Sequence, residues 1–177
     1  GGDAYDAMNQ AAAEVAPGSE GLYFVPYLRK ARSPYWDGRL KATMYGLTAQ
    51  HTAGHMARAL FEAIAFDLRT ITGVLQRNVA LASHVVLTGG LSRSPIVPQL
   101  VADVLNREVR VPEDCEGSIG GAAILALHGL GEIDGLAFSG GPRASARFRP
   151  DAENSQRYEP VYQGYARLIE ILREISL

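Results

Sequence analysis

Cysteine is nearly absent. The 177 residues carry only Cys115, which excludes an intramolecular disulfide and fits a reducing, cytoplasmic compartment. No apolar run approaches the ~20 residues that cross a bilayer, and no basic-then-apolar segment opens the chain. Charge of neither sign dominates. The formal net charge of −2 gives no electrostatic footprint for nucleic acid or an anionic membrane. There is no low-complexity tract and no internal repeat. A Walker loop is missing, because no Gly-Lys-Ser/Thr follows a glycine turn, and the dinucleotide fingerprint spacing is missing too. An initiator Met is also lacking. The opening "GGDAYDAMNQ" enters a helix almost at once, as expected of a piece of a longer chain or a processed product.

What is present suits one domain or two small ones, long enough to bury roughly 70% of the unfolded surface. Asp3 is placed to cap a helix running to about Val15, which "PGSEG" ends. Residues 21–28, "GLYFVPYL", read as a strand, and 42–48 as a shorter one. Pro, Asp and Gly make a loop of "RKARSPYWDGRL". Met56, Leu60, Ile64, Leu68, Ile71 and Leu75 recur at helical spacing over 52–77. "HVVLTGG" is a continuous apolar strand of the kind buried on both faces of a sheet. "IVPQLVADVL" returns to helix, 108–113 to strand, and "SIGGAAILALHGLG" to a small-residue helix. Residues 131–156 read as connection. A last helix over 157–175 aligns Tyr158, Tyr162, Tyr165 and Leu172. This alternation predicts a layered α/β sheet with right-handed crossovers, in which ligands bind beyond the carboxyl ends of the strands.

The Gly89-Gly90 turn sits at one such end. Without a Cβ, backbone and ligand approach closely there, and positive φ costs little. Ser94 is placed to cap the following helix, with Pro95 in its first turn. That helix start offers N–H groups and partial positive charge to a phosphate or another polar ligand group. The competing reading is a tight turn with no ligand. A second cluster, "CEGSIGGAAILA", carries Gly117, Gly120 and Gly121, with Ser118 as a candidate cap. Taken alone, close helix–sheet packing explains it better than a ligand does. The two clusters in one βαβα run are more informative than either.

These residues resemble the C-terminal domain of the FGGY carbohydrate kinases over nearly the whole chain. "GLYFVPYL...RSPYWD" is similar to the family's "GL.FLPYL.GERSP.WD" segment, and residues 44–69 to its "GL...H....RA..EG.AF..R" helix. "VVLTGGLSRSPIVPQLVADVLNREVRVPE" resembles its "GGG..S..W.Q..AD....PV..P" signature, and "EGSIGGAAILA" its "E.S..GAA.LA" close. The resemblance implies a ribonuclease-H-like, actin-like ATPase domain, α/β with a mixed sheet flanked by helices, lacking its first strands. It implies ATP in a cleft between two domains and γ-phosphoryl transfer from Mg-ATP to a sugar or sugar-acid hydroxyl. Positioning and charge stabilisation drive such transfer. Gly89, Gly90 and Leu91 would lie against phosphates and ribose, Ser94 near the adenine, and Gly117, Gly120 and Gly121 at the adenine end of the pocket. The catalytic Asp, a Gly-Thr-Ser turn and most of the sugar site would belong to sequence upstream. No catalytic residue is therefore assigned here, and the chain alone is expected to be inactive.

Departures from the pattern are visible. Lys30-Ala31-Arg32 replaces Gly-Glu-Arg, Ala63 stands where Gly is common, and Leu91 takes the third place of a glycine triplet. Asp37 and Asp103 read as structural acids. His51 and His55 are four apart but lack a third ligand, so capping is expected rather than metal. Arg58 and Glu62, if buried, would fix the long helix against the sheet. Cys115 reads as a small core or loop residue, and Trp36 either packs its loop or lines a cleft. The helices 52–77 and 157–175 both offer surface for a partner such as a second copy. Two classes of function remain: the nucleotide-binding half of a sugar kinase, or a non-catalytic nucleotide-binding or assembly module of the actin-like superfamily.

Overall fold

The computed structural model of the chain describes residues 4–80, 82–113, 117–136 and 144–175. Helix α1 (Ala4–Ala13) leads through a turn with positive φ at Gly18, Ser19 and Glu20 into strand β1 (Tyr23–Val25). β1 pairs antiparallel with β2 (Thr43–Tyr45), and the loop between them turns through a cis Ser33–Pro34 bond. Then follow α2 (Ala53–Gln76), β3 (His84–Val86), α3 (Val97–Leu105), β4 (Glu108–Pro112), α4 (Gly117–Gly129), β5 (Ala144–Phe148) and α5 (Ala152–Ile175). The second sheet is mixed, in the order β3-β4-β5. β3 and β4 run parallel, and β5 returns antiparallel on β4 with Val109 opposite Phe148.

The long α2 organises the core. Phe61 and Phe66 are buried along it and meet Tyr158 and Tyr165 of α5 and Val97 and Val101 of α3. Each such aromatic or branched side chain contributes about 1.5–3 kcal/mol by leaving water. The ring of Phe66 lies 5.2 Å from that of Tyr165 and 6.0 Å from that of Tyr158. The helix-spaced apolar pattern over 52–77 thus marks the right element. The tyrosine row of the last helix faces the core, although only Tyr158 and Tyr165 are fully buried.

Several expectations need correction. Residues 144–148 are a strand, not connection, and α5 begins at Ala152 rather than 157. An Arg-rich "ASARFRP" lacks the turn signals or apolar run that a solitary strand needs to stand out, and pairing with β4 decides it. β3 is not buried on both faces. Val85 packs toward the core, but Val86, one residue on and therefore on the opposite face, is 52% exposed. The first proline of α3 is Pro98, with Ile96 before the helix, so Pro95 lies in the preceding turn. Ser118 lies inside α4, which is already helical at Gly117, and so does not cap it. The expected caps and roles of Asp3 and Cys115 fall outside the described residues.

Candidate functional site

The turn after β3 is built around one glycine conformation. Leu87 N–H still donates to Arg110 O at 2.9 Å, and the chain then leaves the sheet at Thr88. Gly89 takes φ 84° and ψ −171°, a region open essentially to glycine alone. Gly90–Arg93 forms a short 3-10 turn, tightened by Ser92, whose N–H and Oγ both donate to Gly89 O at 3.1 and 2.7 Å. A Cβ added at Gly89 or Gly90 would meet nothing within 4 Å. The upper surface of the turn is therefore open, and at Gly90 the chain's own packing does not demand glycine.

The second glycine cluster arrives at the same end of the sheet. A Cβ on Gly117 would lie 3.5 Å from the Thr88 side chain, one residue before Gly89. Gly120 and Gly121 have open space where a Cβ would project. Helix–sheet packing therefore does not account for these two glycines. None of the residues of α4 is buried, and Ile119 and Leu125 are among its exposed apolar side chains.

At the start of α3 the chain itself takes up several of the amides expected for a ligand. Ser94 Oγ accepts from Ile96 N–H at 3.3 Å and Val97 N–H at 3.2 Å. Pro98 has no N–H, and Leu100 N–H donates to Ile96 O at 3.0 Å. Ser94 is 4% exposed, and its own hydroxyl donates to Asn9 Oδ1 of α1. Ile96, not Ser94, holds the cap position of α3, and Ser94 gathers the amides of the turn that leads into the helix. Asn9 was not legible as part of this constellation, because the contact joins residues 85 apart in sequence.

Residues 2–130 match the model of the FGGY family of carbohydrate kinases, C-terminal domain. The chain belongs to this family. It is 35% identical over 173 residues to a gluconokinase of Bacillus subtilis, covering 95% of this chain and 34% of that protein. A xylulose kinase of Lactococcus lactis is 33% identical over 169 residues, covering 92% of this chain and 33% of that protein. Among solved structures, a ligand-bound xylulose kinase from Lactobacillus acidophilus superposes with a TM-score of 0.84 at 28% identity, over 96% of this chain and 35% of that one. The chain therefore spans about a third of the length of the relatives it matches.

Within this FGGY domain the acids and histidines outside the turn have structural work. Asp37 sits in its loop with Arg39, whose guanidinium and then backbone N–H hold the carboxyl down to about 2. Asp103 accepts from Gln99 Nε2, Asp151 N–H and Asn154 Nδ2, tying α3 to the start of α5. His55 Nδ1 accepts from Thr52 N–H at 3.1 Å and so caps α2, while His51 Nδ1 accepts from Thr48 N–H at 2.9 Å. Among the described residues no cluster of His, Cys, Asp and Glu could hold a metal ion. Trp36 is 77% exposed on its loop rather than packed into it. Glu62 is buried and Arg58 mostly so, but they join α2 to the 18–19 turn and to α5 rather than to the sheet.

Proposed function

We propose that residues 1–177 form the C-terminal, nucleotide-binding domain of an ATP-dependent carbohydrate kinase. The kinase would transfer the γ-phosphoryl group of Mg-ATP to a hydroxyl of a sugar or sugar acid. The observation that carries this reading is the open glycine turn. Gly89 holds a glycine-only conformation beyond β3, and the start of α4 abuts Thr88 beside it. A flat nucleotide laid there would meet Gly89, Gly90 and Leu91 on one side and Gly117, Gly120 and Gly121 on the other, with Ser94 beneath. Magnesium would come as part of the Mg-ATP substrate. Family membership and the names of the relatives support the phosphotransfer.

The domain supplies no catalytic acid on this reading, since Asp37 and Asp103 are both committed to structural partners. The acid and most of the sugar site would belong to an N-terminal domain, and the sheet would be of ribonuclease-H-like, actin-like type with its first strands supplied upstream. The test is a calorimetric titration with Mg-ADP, comparing the native sequence with Gly90→Val. Gly90 suits this test because its φ is not in the left-handed region and its Cβ position is open, so valine obstructs a ligand without straining the turn. Binding that the variant abolishes supports the site. Binding that survives it removes the nucleotide from the turn.

A further inference from the structure

We infer that Asn9 of α1 and Ser94 form a positioning pair that sets the glycine turn for the nucleotide. The inference rests on the nucleotide reading above and adds to it a residue outside the glycine clusters. Asn9 is 2% exposed, and its Nδ2 donates to Tyr5 O at 2.8 Å one helical turn earlier. That bond leaves Oδ1 as the end presented to Ser94. The Ser94 hydroxyl hydrogen goes to Asn9, while the amides of Ile96 and Val97 converge on its oxygen. With its hydrogen and both acceptor sites used, Ser94 has no bond left for a ligand. It acts on the nucleotide through the turn rather than by touching it.

The pair transmits a fixed position because α1 is itself fixed. A Cβ on Gly54 would stand 2.6 Å from Ala11 O, so α1 lies directly on the backbone of α2. The path runs from α2 through α1 to Asn9, then Ser94, and from Ser94 N–H to Leu91 O at 3.2 Å. Leu91 is the second residue of the 3-10 turn over which the nucleotide would lie. The pair is thus a hydrogen-bonded link from α1 to the segment between Gly89 and α3.

The test is Mg-ADP affinity of the full-length gene product, measured for Asn9→Ala, Ser94→Ala, the double variant and Ser94→Thr. Ile169→Val serves as a control for lost core packing, because Ile169 is buried on α5 and belongs neither to α1 nor to the turn. Asn9→Ala and Ser94→Ala should each weaken Mg-ADP binding by about five- to tenfold, the effect of one net hydrogen bond. The double variant should match Ser94→Ala rather than multiply the two singles, since Asn9 acts on the turn only through Ser94. Ser94→Thr keeps the hydroxyl and should restore near-native affinity, and Ile169→Val should leave it unchanged. Unchanged affinity in Asn9→Ala, while Gly90→Val abolishes binding, would overturn the pair and spare the nucleotide site. Equal weakening by Ile169→Val would reduce the pair to general stability and overturn it too. No Mg-ADP binding by the unsubstituted protein, or binding indifferent to Gly90→Val, would overturn the site and the pair together.

Discussion

Glu62 on α2 and Tyr158 on α5 meet through a hydrogen bond of 3.0 Å across 96 residues of sequence. The Glu62 carboxylate is 1% exposed and also accepts from Gly18 N–H and Ser19 Oγ at 2.8 Å and from Arg58 Nε at 3.0 Å. Arg58 in turn donates to Tyr158 OH at 2.6 Å. One carboxylate thus holds the positive-φ turn at 18–19, its own helix and the last helix together. A buried charge is tolerable only when paired and hydrogen-bonded in this way.

Breaking that centre should be costly. Glu62→Ala leaves Arg58 buried without its anion and is expected to lose about 3–5 kcal/mol. Tyr158→Phe removes one hydroxyl and should lose about 1–2 kcal/mol. Urea unfolding followed by circular dichroism reads both. Equal losses in the two variants would show that the Tyr158 hydroxyl matters as much as the carboxylate, and that the buried charge does not dominate the centre.

Asp67 makes the fold's stability depend on pH. It accepts from Tyr27 OH at 2.8 Å and Tyr165 OH at 3.0 Å, yet burial outweighs these bonds and pushes its carboxyl up to about 6. A carboxyl raised in the folded state favours folding while protonated. Its contribution is complete below the unfolded value of 3.8 and disappears as pH rises through about 6. The native protein should therefore lose on the order of 2–3 kcal/mol of this contribution between pH 4 and pH 7. Asp67→Asn still accepts from both tyrosines and should flatten that slope. A slope that persists in the asparagine variant would assign it to other groups.

Gly54 is fixed by contact rather than by conformation. Alanine there would drive its Cβ into Ala11 O, a backbone atom with no rotamer to yield. Gly54→Ala should lose about 1–3 kcal/mol as α1 is displaced. Because α1 carries Asn9, Mg-ADP affinity should fall with it. Alanine tolerated at full stability would show that α1 is loosely seated.

Local elements with strong periodicity and turns with strong residue preferences are legible in the amino-acid order alone. The apolar spacing over 52–77 marks α2, whose ends fall at Ala53 and Gln76. The paired glycines mark the turn after β3, where Gly89 takes a conformation open essentially to glycine alone. The motifs and their order also marked the family, because they are local strings of residues. Tertiary structure decided what those strings cannot hold. β5 exists because β4 offers it an edge, not because "ASARF" prefers a strand. Ser94 reads as a cap from sequence, but Ile96 takes that position, and the bond from Ser94 to Asn9 depends on where α1 packs. Glu62 and Asp67 look like ordinary polar positions of a helix until the partners from β1, the 18–19 turn and α5 close over them. Periodicity and turn chemistry act over a few residues, whereas burial and long-range hydrogen bonds exist only once the chain has brought distant residues together.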